Sequence, residues 1–257
     1  MSQEKAAETI AAPQCHSLLA GSILVIPDVH GRVFWKGAVE QYSDCRDIVF
    51  LGDYHDPYPR ERIPIQDSLE NFREIIKFAR AHSNVTLLLG NHDLHYLCDF
   101  GETCRMDFNN YEQIKALILD NIDLFKIIHH IDINGQRVVF THAPILVEWL
   151  HHLDAPGDIT QLGLLLNQLP KQAADKPDTL LQWFNFVSSY RGGCDRFGSP
   201  VWADMREAKG YLIQTADYSI FGHTQLTEAV ITRTWANLDC RRAFLVAPDL
   251  TITPVDV

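Results

Sequence analysis

The chain has 257 residues, with 33 Asp and Glu against 22 Lys and Arg, for a formal net charge of −11. That balance disfavours a general surface for phosphate backbones, so a nucleic acid polymer is not an expected partner, whereas a nucleotide as a small substrate stays open. Apolar content is ordinary for a soluble globular protein and no apolar run approaches the roughly 18–20 residues that span a bilayer, so a membrane partner is excluded as well.

The length suits one large α/β domain, 1–257, and no linker-like stretch divides it. Residues 1–14 are Ala-rich and carry Glu4, Lys5 and Glu8 without a basic segment leading into an apolar one. The apolar run over 18–26 ends directly in Pro27-Asp28-Val29-His30, and a cleaved leader there would remove a functional motif. A cytoplasmic protein with a frayed start over 1–20 is therefore expected. The six cysteines (Cys15, Cys45, Cys98, Cys104, Cys194, Cys240) show no CxxC spacing and read as reduced thiols, with a Cys98–Cys104 link left open.

Along the chain, a short apolar run followed by a polar cluster recurs. Residues 23–26 lead into Asp28 and His30, 48–51 into Gly52-Asp53-Tyr54-His55-Asp56, and 85–89 into Gly90-Asn91-His92-Asp93. Later, 138–140 lead into Thr141-His142 and 218–221 into Gly222-His223-Thr224-Gln225. These are five expected strands whose carboxyl ends present their loops to one site.

Helices are expected between them. In 67–82, Leu69, Phe72, Ile75, Ile76 and Ala79 share one face, with Asp67 and Glu70 as a capping box; 111–130 forms a second helix. Further helices are expected over 145–152, 160–169 and 179–190. This alternation argues for a largely parallel sheet. The tail differs: 229–231, 235–238, 243–246 and 251–255 are β-type runs without helices, which suggests antiparallel strands able to form a second sheet on the first.

Asp28, His30, Asp53, Asn91, His142 and His223 supply two carboxylates, three imidazoles and an amide oxygen, each just past an expected strand. Oxygen and nitrogen donors without thiolate suit Mn, Fe or Zn rather than a Cys-based site. Six donors are too many for one ion with an open position. They suit two ions sharing a bridging carboxylate.

The runs Asp28-Val29-His30-Gly31, Gly52-Asp53-Tyr54-His55-Asp56, Gly90-Asn91-His92-Asp93, Thr141-His142-Ala143 and Gly222-His223-Thr224 resemble the ordered motifs of the calcineurin-like metallophosphoesterase superfamily. The resemblance implies two packed mixed β-sheets flanked by helices. It also implies two metal ions: Asp28 and His30 would hold the first, Asp53 would bridge, and Asn91, His142 and His223 would hold the second. His92 would be the general acid, with Asp56 fixing its imidazole. The implied reaction is hydrolysis of a phosphomonoester by a metal-bridging hydroxide, with phosphoserine and phosphothreonine among the candidate substrates. The alternatives are a dinucleoside polyphosphate or nucleotide hydrolase with the same centre, and a non-catalytic metal-binding scaffold.

Many members of the superfamily carry a second His where this chain has Gln225. In this the sequence is similar to the phosphoprotein-phosphatase branch, which includes bacterial Ser/Thr phosphatases and symmetric diadenosine tetraphosphate hydrolases. Gly90-Asn91-His92-Asp93-Leu94-His95 is especially like the hydrolases. The branch usually places a phosphate-gripping Arg directly after the second motif, where this chain has Pro57 and then Tyr58. Arg32, Arg60 and Arg62 lie close by, and the last two read as solvated loop charges. Residues 190–206 resemble the Pro-Val-Trp run followed by Arg of bacterial and Shewanella-like phosphatases, which makes Arg206 and Arg191 the candidates for phosphate contact. His55 reads as a bystander and His95 as packing. His129-His130 and His151-His152 read as solvated pairs at helix ends, and Trp149, Trp183, Phe184 and Phe186 as core.

Overall fold

The alternating apolar runs resolve into two sheets. In a computed structural model describing residues 21–101, 104–209 and 212–256, the first sheet aligns β1 (Ile23–Ile26), β2 (Asp47–Phe50), β3 (Val85–Leu88) and β4 (Phe125–Lys126) in parallel. The expected frayed start, 1–20, lies outside the described residues.

The second sheet holds β5 (Ile128–Ile133), β6 (Gln136–Thr141), β7 (Tyr218–Phe221), β8 (Val230–Ile231) and β9 (Trp235–Asn237), in the order β5-β6-β7-β9-β8. β10 (Phe244–Val246) then returns to the first sheet antiparallel to β1, and β11 (Ile252–Pro254) pairs with it at the edge. The tail therefore does not build a sheet of its own. Its four strands divide between both sheets, and β9 runs parallel to β7.

Period-two alternation explains why β1 to β3 read as mostly apolar runs: both of their faces are covered. Ile23, Val25, Val49, Leu51 and Leu88 point into a layer shared with Ile131, Val138, Phe140 and Ile220 of the second sheet. Leu24, Ile26, Ile48, Phe50 and Leu87 face the opposite way, into a core with the helices. The result is two mixed sheets packed face to face with helices outside, as the resemblance implied.

The helices are α1 (Phe34–Tyr42), α2 (Ile65–Ala81), α3 (Asn91–His95), α4 (Tyr111–Leu119), α5 (Val147–His152), α6 (Ile159–Leu166) and α7 (Pro177–Phe184). On α2, Leu69, Phe72, Ile75, Ile76 and Ala79 form the buried face as expected. Phe72 is fully buried and stacks on Tyr54 at 4.9 Å, so truncation to Ala should cost about 3–5 kcal/mol. The capping box is not there. The residue before the helix is Pro64, with no side-chain cap, and Asp67 sits inside the first turn.

The helix expected over 111–130 stops at Leu119. The Asn121 amide caps it by donating to the Leu117 carbonyl at 2.9 Å, and a single 3-10 turn over Ile122–Leu124 leads into β4 and β5. The Asn167 side chain pins the intervening backbone, accepting from the N–H groups of Ile127 and Ile128. His129 and His130 therefore lie on a strand rather than at a helix end. The helix expected over 179–190 likewise ends at Phe184, and Arg191 stands on a separate short turn, Ser189–Arg191. Trp149 and Phe184 are buried core, with Trp183 and Phe186 packed against it.

Candidate metal centre

The carboxyl ends of β1, β2, β3, β6 and β7 deliver Asp28, His30, Asp53, Asn91, His142 and His223, each at most 4 % exposed, to neighbouring positions. Two glycines make room. A Cβ on Gly90 would collide with the Asp53 carboxylate and the His142 ring, and one on Gly222 with the Asp28 carboxylate. His30, Asp53, Asp56 and His223 hold left-handed backbone, with φ of 45°, 53°, 55° and 64°. Such strain, about 1–3 kcal/mol per residue, persists only where other contacts over-determine the conformation. Asp93 does so here: its carboxylate accepts from the N–H of Asp53 at 2.7 Å, Gly90 at 2.8 Å and Tyr54 at 3.1 Å.

Asp53 stands at the centre. Its Oδ2 lies 3.3 Å from His30 Nε2 and 3.6 Å from His142 Nε2, so one carboxylate oxygen separates two donor clusters. Burial opposes its charge, but His142, His92 and His30 outweigh burial and hold the carboxyl well below its ordinary value. His142 Nε2 also lies 3.0 Å from Asn91 Oδ1 and 3.1 Å from His223 Nδ1.

These residues fit metal ions. His30 Nδ1 donates to the carbonyls of His55 and Asp56, and His142 Nδ1 to that of Leu51, which leaves each Nε2 with a free lone pair facing Asp53. Burial drives the pKa of His30 down, and burial with Arg191 and His142 drives that of His223 down, favouring the neutral imidazoles that ligation requires. His30 with Asp53 and His92, and Asp53 with His142 and His223, are spaced closely enough to hold an ion. Asp28 sits behind, both its oxygens accepting from the His223 N–H.

The sequence reading missed Asp239. It is 1 % exposed, its Oδ1 has no hydrogen-bond partner, and burial together with Asp28 pushes its carboxyl well above the ordinary range. Two neighbouring buried acids call for a cation. A signal was available, because Asp239 lies two residues past β9 as Asp28 lies two past β1.

His92 opens the α3 turn beside the metal cluster. Its Nδ1 donates to Asp56 Oδ2 at 3.1 Å, and Tyr96 Oη donates to the other Asp56 oxygen at 2.7 Å. Burial opposes a charge on His92, but Asp53, Cys104 and the Asp56 bond together outweigh burial and hold its imidazole well above the usual value. A raised imidazole pKa favours the protonated ring.

A cavity of about 490 Å³ opens over these groups, lined also by Tyr58, Cys104, Arg105, Tyr190, Arg191 and Trp202. Arg191 reaches it, 3.9 Å from Asp204. Arg206 is placed elsewhere: its guanidinium is bonded to Asp204 at 2.7 and 3.1 Å and lies over the Tyr190 ring. Arg60 donates to Gln225 Oε1, and Arg32 is paired with Glu61 at 2.7 Å. His95 is buried, accepting from the Phe100 N–H and stacking on the Phe100 ring. Cys98 and Cys104 are both free thiols.

Fold and centre are those of a metal-dependent phosphoric ester hydrolase. The chain belongs to the calcineurin-like phosphoesterase family, whose sequence model matches residues 21–226. Among solved structures it is similar to a cold-active protein tyrosine phosphatase, at 16% identity and a TM-score of 0.55, over 92% of this chain and 79% of that one. It is also similar to a protein serine/threonine phosphatase from Saccharomyces cerevisiae, described as similar to human phosphatase PP5. That match has 11% identity and a TM-score of 0.52, over 94% and 81% of the two chains. At such identities the likeness is one of fold. No curated protein sequence matches the chain.

Proposed function

We propose that the protein hydrolyses phosphomonoesters, phosphoserine and phosphothreonine among them, at a dinuclear centre of Mn, Fe or Zn. Asp28, His30 and Asp53 would hold one ion, and Asp53, Asn91, His142 and His223 the other. When bound, two such ions activate water and neutralise phosphoryl oxygens. The chain's residues do the rest. Asp56 fixes the His92 tautomer, and His92 donates the proton from its Nε2 to the departing alkoxide. Arg191 faces the phosphoryl oxygens, with Arg206 bracing the Asp204 and Tyr190 segment beside it.

The observation that carries this reading is the His92–Asp56 bond of 3.1 Å beside an Asp53 oxygen shared by His30 and His142. A proton donor held next to a two-cluster donor set is what ester cleavage with an alkoxide leaving group requires. The five described cysteines, all free, agree with a reducing cytoplasmic setting, and no helix among the described residues is long and apolar enough to cross a membrane.

The test is protein reconstituted with Mn and assayed on phosphopeptides, mononucleotides and dinucleoside polyphosphates. Preference for phosphopeptides is expected. Preference for dinucleoside polyphosphates would replace the substrate and keep the centre, whereas no turnover on any of them would favour the metal-binding scaffold.

A further inference from the structure

We propose that Arg105 is a substrate-binding residue that grips the phosphate over the metal centre. The inference rests on the phosphoesterase reading above and adds to it a residue that no motif contains.

Arg105 lines the same cavity as His30, Asp53, Asn91, His92 and His223. Its guanidinium lies 3.9 Å from the centre of the Tyr58 ring, and Tyr58 in turn packs edge-on against His30 at 4.9 Å. The cation is thus stacked on an aromatic face directly beside a candidate metal ligand. Among the described residues one hydrogen bond is made, from Nη2 to the Asp56 carbonyl at 3.1 Å, and the buried Nε has no partner.

The other arginines near the cavity each have a partner. Arg32 is bonded to Glu61, Arg206 to Asp204 and Arg60 to Gln225, while Arg191, which also lines the cavity, keeps an ion-pair contact of 3.9 Å with Asp204. No carboxylate among the described residues lies within ion-pair distance of Arg105, in a chain whose net charge is −11. A half-buried guanidinium with spare donors, facing a cavity floored by a candidate metal centre, is arranged for an anion with several oxygens. A phosphoryl group has that shape.

The mount is rigid. Two residues on, the Asp107 N–H donates to Asp56 Oδ1 at 3.1 Å and to Tyr96 Oη at 2.9 Å. Asp56 thus holds both the His92 ring and the backbone beside Arg105. The proton donor and the phosphate grip are set by one carboxylate.

The experiment measures binding of inorganic phosphate, by calorimetry, to metal-loaded wild type, R105M and R105K. Methionine keeps an apolar stem against Tyr58 and removes the donors. We expect about tenfold weaker phosphate binding in R105M, or about 1.4 kcal/mol, partial recovery in R105K, and unchanged metal stoichiometry and melting temperature in both. Phosphate affinity of R105M within about twofold of wild type overturns the proposal, as does a variant that folds but no longer loads metal, because Arg105 would then be a brace for the centre. If R105M fails to fold, R105K decides: wild-type phosphate affinity together with wild-type KM would sink the proposal. A metal-loaded wild type that binds no phosphate removes the phosphoesterase reading itself, a result distinct from every variant outcome.

Discussion

His55 and Asp107, 52 positions apart, meet in a buried contact of 3.2 Å between Nε2 and Oδ2. On its other side His55 Nδ1 contacts Ser68 Oγ at 2.9 Å, and its carbonyl receives the His30 Nδ1 proton. The same Asp107 carboxylate accepts from the N–H groups of Asn109 and Asn110 and from the Asn110 side chain. This joint ties the second motif turn to the segment that carries Arg105. His55, which reads as a bystander in the sequence, is part of the frame.

Replacing His55 by Ala should therefore do two things. Losing a buried bond to a carboxylate lowers stability by about 1–3 kcal/mol, measurable by urea denaturation. It should also raise KM several-fold while kcat and bound metal change little, because His55 acts through the position of Arg105. An unchanged KM in the folded variant would show that the joint is structural only.

His92→Asn removes the proton donor and keeps the approximate shape. Turnover of an alkyl phosphomonoester should fall by roughly 10²–10⁴-fold, and that of a nitrophenyl ester far less, because nitrophenolate leaves without a proton. Steady-state kinetics on the two substrate types measures the ratio. Equal losses on both would exclude His92 as the acid.

Metal removal should destabilise the protein, because Asp28, Asp53 and Asp239 crowd together within the core. Ligand linkage then raises the melting temperature of the loaded form. The proposed first site, with Asp28, His30 and Asp53, should empty before the proposed second one in a chelator titration. Asp239→Asn removes one of the crowded acids, so metal-free D239N should melt above metal-free wild type at pH 8, by about 2–4 °C for each kcal/mol relieved. If the wild type is the more stable of the two, the acids are not in conflict.

His129 gives a pH signature away from the centre. Its Nε2 is buried without a partner and its ring lies 6.2 Å from that of Phe140; burial and then Lys126 push its pKa down to about 3. The unfolded chain binds that proton near pH 6.5, so between about pH 6.5 and 3 it holds a proton the folded chain refuses, and stability falls as pH falls. From pH 7 to pH 5 the loss is about 1–2 kcal/mol. His129→Gln should lack it. Urea midpoints at the two pH values test this, and parallel pH dependence in wild type and H129Q would refute it.

The five motif strands are legible in the sequence because each is largely buried and so reads as a short, mostly apolar run, and a candidate donor set is legible because ligand chemistry is written in residue types. His30 with Asp53 and His92, and Asp53 with His142 and His223, lie close together, with Asn91 Oδ1 3.0 Å from His142 Nε2, Asp28 accepting from the His223 N–H and Asp56 bonded to His92. Local pattern failed where a distant contact overrides propensity. Asn167 pins the backbone at Ile127 and Ile128, so β5 begins inside what reads as helix, and sheet pairing alone sends β10 back to β1. Arg105 and Asp107 join the site only through tertiary structure, and Asp239, although it follows a strand, shows its missing hydrogen-bond partner only there. Which buried group is paired and which is not is a property of packing, not of spacing along the chain.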